Sequence, residues 1–516
     1  MKLSFNRVSV WLGAVCLIVS TERTHAFALL GPVQPWMQAT NGVILPGDIG
    51  GPMDITNEYR WNVPVVTYGF DKSFLDFFGT NGVAAVESAI KILNDLPPAS
   101  QIVLANYPLN SGQINYSAEA QSLYDLKSQT LPLLLAQLGL AQPMRNIYVI
   151  KNWNPNFFNN GNGSIYITGM PIFYERDPNG IDPAAWSGSP GYIPYFVTGL
   201  NFDPKNLEPT DFINNTEYGG SIYVQQFWPQ YIEPFSVNPL ANTYTAVADN
   251  GVAYGGGLFY TGLTYDDIGG LCYLLSTNNV NFETLLSSVH GVGTNSFVNG
   301  AWRPGVDKIT FMLQATSLLA GTFLTMTNQF TDTYITNSNT IHQQLQRVTT
   351  QPDFLFSAGN DLFCTGTTNW INNAALNNNP AGAGPGIIRS PVVIVFQKMG
   401  KWFDSSGSED AVQDYSGAMG TFDGSSNAPV VYPVPQTGNI SLTVRLGLRH
   451  SNYDLNPFQS FEWSPTSPAG AVYAFQTSTN LSTWNTLFVV TNNGSICTYQ
   501  NVNANSSSRF YRLTPQ

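Results

Sequence analysis

The chain has 516 residues, of which 43% are hydrophobic and 13% aromatic, so it can bury a sizeable core. That length predicts roughly two to four domains. Only 10% of the residues are charged, against roughly 25% in typical soluble domains. With 21 basic residues, 33 acidic residues and a net charge of -12, the composition excludes a nucleic-acid-binding protein, which needs clustered Lys and Arg.

The first 26 residues are typical of a secretory signal peptide. The basic residues Lys2 and Arg7 precede an apolar run over residues 8–20, and cleavage is expected before Phe27. An uncleaved anchor is the alternative, but the run is short for a bilayer. Since no later segment has the pattern of a membrane span, we expect a secreted, cell-surface or periplasmic protein.

Removal of the signal peptide leaves three cysteines, Cys272, Cys364 and Cys497. Two arrangements of these cysteines remain open, either one disulfide with one buried thiol or three buried thiols. Their spacing fits no zinc-binding pattern. We interpret them as inert structural residues.

The first regular elements are predicted after a stretch rich in Gly and Pro. Residues 60–70 contain many β-branched and aromatic side chains, which predicts a strand. An apolar stripe over residues 83–93 predicts a helix that Asn81 caps and that ends before Pro97. Residues 101–107 are a further strand candidate.

A second helix is predicted from residue 126 to Leu138. Its leucines recur at nearly helical spacing, which predicts one buried side. Gly139 follows the last apolar turn, and Pro143 comes soon after. Both residue types are typical of a helix end.

A third helix is predicted over residues 262–275. Thr264 and Asp267 have the spacing of a capping box. Asp266 and Asp267 both lie in the first turn, where the helix dipole favours negative charge. Capping explains this acidic pair without a catalytic or metal-binding role.

Three parts of the chain resemble the matrixin-type metzincin zinc proteases and follow the order of that family. Residues 60–93 match its opening strand and helix, residues 126–138 its central helix, and residues 262–275 its closing helix. The central motif of that family is H-E-x-x-H-x-x-G-x-x-H. When the motif is anchored on Gly139, its three histidine positions fall on Pro132, Ala136 and Gln142, and its general-base position falls on Leu133.

The resemblance therefore implies a protease fold without its chemistry. A catalytic zinc needs three protein ligands and a position for water, and a Leu cannot take a proton from that water. Residues 254–260 match the position of the family's methionine turn but contain no Met. We expect a degenerate matrixin-like α+β domain over residues 27–275, with no zinc.

This domain is much longer than its counterpart in the family, because it carries an insertion over about residues 145–255. The insertion is rich in Asn, Gly, Pro and aromatic residues, which predicts loops and short strands. Residues 177–182, Asp-Pro-Asn-Gly-Ile-Asp, resemble a small calcium loop but break the full pattern with Ile. A tight Asn-Gly turn is the favoured interpretation, and a structural calcium ion is the alternative.

The rest of the chain is predicted to be β-rich. Residues 276–430 form either an extension of the first domain or a separate region of unknown type. Alternating strands separated by turn residues over 431–516 predict an antiparallel β-sandwich. This last part resembles an accessory module of secreted bacterial proteins.

Three functions are compatible with this organisation. The leading hypothesis is a secreted, non-catalytic pseudo-metalloprotease that acts as a binding or surface-structural protein, with an unknown extracellular protein or glycan as partner. One alternative is a metal-dependent peptidase or hydrolase with a relocated site, for which His290, His342 and His450 are the candidate ligands. The other is a carbohydrate-binding or adhesive protein, because aromatic residues in Asn-rich loops suit sugar stacking.

Overall fold

A computed structural model describes a large part of the chain. The described residues are 25–34, 36–37, 43, 48–153, 170–172, 195–224, 230–316, 322–359, 365–367, 370–371, 387–388, 391–396, 399–403, 412–433, 443–451, 454–462, 470, 472–480, 482–491, 497–500 and 510–515. The predicted signal segment 1–24, the loop 177–182 and Cys364 lie outside them.

The α-helices of the described residues are α1 (Lys72–Asn94), α2 (Tyr116–Glu119), α3 (Leu126–Leu138) and α4 (Tyr265–Leu275). Helix α1 begins earlier than predicted, because the side chain of Asp71 caps it by accepting from the Phe74 N–H at 2.9 Å. Asn81 lies inside α1, after a kink at Gly79, whose φ is 58°.

Single turns of 3₁₀-helix connect several elements, at Ala99–Gln101, Leu104–Asn106, Met144–Asn146, Val247–Asp249 and Gly251–Tyr254. The strand predicted at residues 101–107 is therefore wrong. Its amides close local turns, with the Ile102 N–H donating to the Ala99 carbonyl and the Tyr107 N–H to the Leu104 carbonyl.

The strands are numbered in chain order. Those before α4 are β1 (Phe27–Gly31), β2 (Gly51–Met53), β3 (Val65–Phe70), β4 (Gly112–Ile114), β5 (Tyr124–Asp125), β6 (Leu140–Ala141), β7 (Val149–Trp153), β8 (Met170–Ile172), β9 (Tyr195–Thr198), β10 (Asn201–Phe202), β11 (Phe212–Ile213), β12 (Thr216–Val224), β13 (Gln230–Ser236) and β14 (Leu258–Tyr260). The first group after α4 comprises β15 (Asn281–Thr284), β16 (Val289–Gly291), β17 (Gly300–Arg303), β18 (Thr310–Leu313), β19 (Met326–Thr336), β20 (Asn339–Thr349), β21 (Phe354–Ala358), β22 (Thr365–Thr367), β23 (Trp370–Ile371), β24 (Ile387–Ile388), β25 (Val392–Phe396), β26 (Met399–Phe403), β27 (Val412–Thr421) and β28 (Val430–Val431). The C-terminal strands are β29 (Thr443–Ser451), β30 (Asp454–Glu462), β31 (Val472–Ser478), β32 (Asn485–Thr491), β33 (Cys497–Gln500) and β34 (Phe510–Pro515).

The first main sheet has the order β18-β3-β21-β25-β22. Strands β18, β3, β21 and β25 are parallel, and β22 runs antiparallel to β25. Residues from β3, α1 and β21 share one hydrophobic core, to which Val66, Phe74 and Phe356 contribute fully buried side chains. Strand β3 is buried over most of its length, whereas buried and half-buried residues alternate along β21 and β25, so one side of the sheet carries most of the core.

This pairing crosses the boundary predicted between residues 275 and 276. Strand β3 lies before the boundary, whereas its two neighbours, β18 and β21, lie after it. A sheet cannot be divided between two independent cores without losing its backbone hydrogen bonds. Strands β18, β21 and β25 therefore belong to the same sheet as β3, which favours the alternative that residues 276–430 extend the first domain.

The second main sheet is antiparallel and has the order β15-β17-β19-β20-β16. Its longest element is the hairpin of β19 and β20, in register from Met326 opposite Thr349 to Thr336 opposite Asn339. Away from the turn, over residues 326–332 and 343–349, side chains alternate between a more buried and a more exposed face, whereas residues 339–342 near the turn are exposed on both faces. One face of the sheet thus packs against the protein while the other remains open.

The C-terminal segment is antiparallel, as predicted. It forms two three-stranded sheets, β29-β30-β33 and β32-β31-β34. Their packing against each other as a sandwich stays a prediction. Taken together, the described residues form a mixture of helices and many antiparallel sheets, and no helix among them is both long and apolar enough to cross a membrane.

Candidate functional site

Helix α3 is the element to which the sequence assigned a lost active site. It starts at Asp125, whose carboxylate accepts from the Ser128 N–H at 2.9 Å and the Ser128 hydroxyl at 2.5 Å. It ends at Gly139, which has the left-handed φ of 113°. The prediction of a single buried side is wrong, because the buried residues lie all round the helix. A helix covered on every side is typical of a protein interior.

The degenerate motif positions lie on this helix or directly after it, and only Pro132 is fully buried. Pro132 is buried inside α3, where its ring has no N–H to donate. Leu133 is half-buried against the main core, and Ala136 packs beside a second small apolar cluster that includes Tyr59. Gln142 follows β6 and is half-buried. The four positions present aliphatic groups and one neutral amide.

Helix α4 carries the predicted capping residues. The Asp267 carboxylate accepts from the Thr264 N–H at 2.8 Å and from the Thr264 hydroxyl at 2.5 Å. It also accepts from the backbone amides of Val247 and Ala248, at 3.0 and 2.9 Å. One carboxylate therefore ties the start of α4 to the 3₁₀ turn Val247–Asp249.

Asp267 belongs to a group of buried acids that sequence reasoning did not assemble. Burial raises the pKa of Asp267. Burial also raises the pKa of Asp249 well above its ordinary value, and the nearby carboxylates of Asp267 and Asp266 add to that increase. Burial also raises the pKa of Asp266 to about 6, against the opposing effect of hydrogen bonds that include one from His25. The His25 ring stacks on Tyr265 with 3.8 Å between ring centroids. The contacts of His25 join the segment before the expected cleavage site to α4, so they are present only in a chain that keeps that segment.

Asp125 gives a measurable pH dependence of stability. Burial raises its pKa in the folded protein from 3.8 to about 6. A carboxyl with a raised folded pKa binds its proton more tightly when folded, so its stabilising contribution is complete below pH 3.8 and is lost as the pH rises through about 6. Asp125→Asn keeps a capping side chain but removes this titration. We expect the free energy of unfolding to fall less steeply between pH 4 and 6 in the variant, by up to about 1.4 kcal/mol per pH unit.

Urea unfolding at several pH values between 4 and 7 measures this effect. The matched control for the removal of a carboxylate is Asp76→Asn, at an exposed position that pairs with Lys72 on the surface. Identical slopes for wild type and Asp125→Asn would contradict the raised pKa.

The candidate histidines do not share a site in the described residues. His290 on β16 lies opposite Gln346, and His342 on β20 lies opposite Thr333. Gln346 and His342 are four residues apart on β20, which corresponds to about 13 Å along a strand. His342 Nδ1 lies 3.0 Å from the Thr333 hydroxyl, and His450 belongs to β29 in a different sheet.

His290 and His342 instead lie on the open face of the second sheet. We define the open face by strand register as the residues that share the side of Trp302. Its members are Phe282, Thr284, His290, Gly300, Trp302, Thr327, Gln329, Thr331, Thr333, Ile335, Thr340, His342, Gln344, Gln346 and Val348. None of these residues is Asp, Glu, Lys or Arg.

The open face is uncharged but rich in hydrogen-bonding groups. Trp302 is 53% exposed at one end, and its ring meets Phe282 edge-on with 5.9 Å between centroids. Gln344 donates to the Thr331 hydroxyl at 2.9 Å. Cross-strand pairs of this kind fix the positions of neighbouring side chains. The sequence signal of this face is the placement of Thr and Gln at every second position of 327–333, and of His and Gln at every second position of 342–346.

The opposite face of the sheet is held by buried ion pairs. Arg303 Nε donates to Asp332 at 3.0 and 3.2 Å, and Arg60 Nε donates to Glu283 at 2.5 Å. Arg60 also donates to the Arg303 carbonyl at 2.9 Å. Since these side chains are almost fully buried and hydrogen-bonded, they fix the strands that carry the open face.

Cys272 is not in a disulfide and is partly buried. Burial, with a smaller contribution from Asp307, raises the pKa of its thiol to about 11. The thiol is therefore protonated near neutral pH and a poor nucleophile. This agrees with the interpretation of Cys272 as an inert structural residue.

Comparisons with models of protein families, with curated proteins and with solved structures find no match for this chain. Within the part of the chain that the structure describes, no three His, Cys, Asp or Glu side chains are grouped so that they could hold a metal ion. The similarity to matrixins thus rests on the three sequence segments.

Proposed function

We propose that this protein is a secreted, non-catalytic binding protein built on a matrixin-like scaffold. The observation that carries the proposal is the identity and position of four residues. Pro132, Leu133, Ala136 and Gln142 occupy the ligand and general-base positions of the motif, and they lie on or directly after a helix buried on all sides.

The chemistry of these residues supports the absence of zinc hydrolysis. Pro and Ala side chains have no lone pair to donate to a metal, and an amide oxygen is a weak zinc ligand. Without a carboxylate at Leu133, a water molecule at this place has no general base. Packing of Leu133 and Ala136 against apolar neighbours also suits a core helix better than the floor of a cleft.

The alternative is a metal-dependent hydrolase with a relocated site. Such a site requires three ligands that converge within bonding distance of one ion. The separation of His290 and His342 by about 13 Å along the sheet argues against a site that contains both. The buried acids near α4 are bound by backbone amides and by Thr264, which favours a structural role for them.

A peptide-cleavage assay with added zinc tests this proposal. The secreted protein is incubated with a mixed library of unstructured peptides, with and without zinc chloride, beside an active zinc protease as a positive control. We expect no cleavage above a buffer blank in either condition. Zinc-dependent cleavage that survives a second purification step would overturn the proposal.

A further inference from the structure

We infer that the open face binds a neutral polysaccharide chain. This inference rests on the proposed function, because it names the class of ligand that an extracellular, non-catalytic binding protein of this kind would take. It is carried by three observations: an exposed aromatic ring, a row of neutral hydrogen-bonding side chains, and the confinement of charged side chains to the opposite face of the sheet.

The first observation is the ring of Trp302 at one end of the open face. The indole is 53% exposed although it is large and apolar, and Phe282 contacts it edge-on. The electron-rich face of an aromatic ring attracts the slightly positive C–H groups on one side of a sugar ring. An indole held on a sheet supplies this contact with little loss of side-chain freedom on binding.

The second observation is the set of hydroxyl, amide and imidazole groups beside the ring. The open face extends six residues along β19, from Ile335, which lies opposite Trp302, to Gln329. This length corresponds to roughly 20 Å. Gln329 and Gln344 are exposed along this length. Amides and hydroxyls donate and accept hydrogen bonds equally well, as do the hydroxyls of a sugar. The dimensions fit a chain of several sugar units.

The third observation is the distribution of charge across the sheet. The charged residues Glu283, Arg303, Asp332 and Arg347 all point to the buried face, and the open face has none. A charged ligand would therefore find no ion pair here and would lose hydration on binding. Because a neutral glycan exposes only hydroxyl, ether and C–H groups, it matches the open face better than an acidic peptide or an anionic polymer does.

A second protein chain fits the face less well. Protein interfaces of standard size have an apolar or aromatic core, whereas Phe282, Trp302 and Ile335 lie at one end and the remainder consists largely of Thr, Gln and His. Pairing of two copies through this face is nevertheless a distinct outcome that the experiment separates.

The experiment compares three variants of the full secreted protein with the wild type. Affinity electrophoresis in gels that contain soluble neutral polysaccharides (a mixed-linkage β-glucan, a xylan, a glucomannan and a galactomannan) measures retardation and an apparent Kd. Trp302→Ala removes the ring, Gln344→Ala removes one amide of the row, and Tyr116→Ala removes an aromatic side chain that is 63% exposed but lies outside the open face. Circular dichroism and thermal melting verify that each variant is folded.

We expect the wild type to be retarded by at least one polysaccharide. Trp302→Ala should weaken that binding tenfold or more, Gln344→Ala severalfold, and Tyr116→Ala not at all. Binding should be unaffected between 0.05 and 1 M NaCl, because no charges take part. If Trp302→Ala fails to fold, Gln344→Ala and the salt series decide the result.

Three results would overturn the inference. The first is that none of the polysaccharides retards the wild type. The second is equal retardation of the wild type and the open-face variants. The third is a concentration-dependent dimer, seen by light scattering, that Trp302→Ala dissociates. None of them involves zinc or peptide cleavage. The glycan inference can therefore fail while the non-catalytic proposal stands, and the reverse also holds.

Discussion

Asp353→Ala is expected to lower the free energy of unfolding by about 3–5 kcal/mol, because it leaves a buried guanidinium without its partner. The Asp353 side chain is fully buried and forms a two-pronged ion pair with Arg347 of β20. It also accepts from the Thr67 N–H at 2.8 Å and the Thr67 hydroxyl at 3.0 Å. One carboxylate therefore joins β3 of the parallel sheet to the hairpin of the antiparallel sheet.

Two controls separate the ion pair from the general effect of removing an acid. Asp353→Asn keeps the shape and part of the hydrogen bonding, so its cost should be smaller. Asp76→Ala breaks an exposed pair with Lys72 and should cost less than about 1 kcal/mol. Urea unfolding measures all three, and a cost for Asp353→Ala no larger than that of Asp76→Ala would contradict this role of the buried pair.

The second large effect is expected at Gly139, the end of helix α3. Its φ of 113° is one that side chains rarely adopt. A Cβ atom here would lie 2.0 Å from the carbonyl oxygen of Tyr59, and that backbone also belongs to the core, since the Tyr59 N–H donates to the Leu30 carbonyl at 2.6 Å. We expect Gly139→Ala to cost about 3 kcal/mol or more, as backbone strain and overpacking add.

Gly293 is the matched control for this substitution. Its φ is also positive, at 66°, but an added Cβ would meet nothing within 4 Å. Gly293→Ala should therefore show the cost of the backbone conformation alone, about 1 kcal/mol. Equal losses of stability at the two positions, measured by thermal or urea unfolding, would show that the contact with Tyr59 does not matter.

Residue types predicted the end of α3 and the start of α4 better than they predicted how much of a helix is buried. Gly139 lies in the left-handed conformation expected of a helix terminator, and Thr264 and Asp267 make the expected hydrogen bonds. These features depend on residues only a few positions apart. In contrast, the leucine spacing of α3 suggested one buried side, because periodicity cannot show how many elements cover a helix.

The sheets were harder to predict because their partners are distant in the chain. β3 pairs with β18, which begins 245 residues later, from Val65 to Thr310, and no local pattern encodes that pairing. The group formed by Asp249, Asp266 and His25 was missed for the same reason. The open face had a local signal in its alternating Thr and Gln residues, but only the strand register shows that His290 and Trp302 lie on the same side.

The most direct test of the central claim is the zinc content of the purified secreted protein, measured by elemental analysis alongside a chelator titration. The chemistry of Pro132, Leu133 and Ala136 on helix α3, of which Pro132 is buried and the other two are half-buried, predicts zinc far below one ion per chain and a melting temperature that the chelator does not change. Near-stoichiometric zinc that survives dialysis, or unfolding on chelation, would contradict the claim that this scaffold is non-catalytic and would require a metal site elsewhere in the chain.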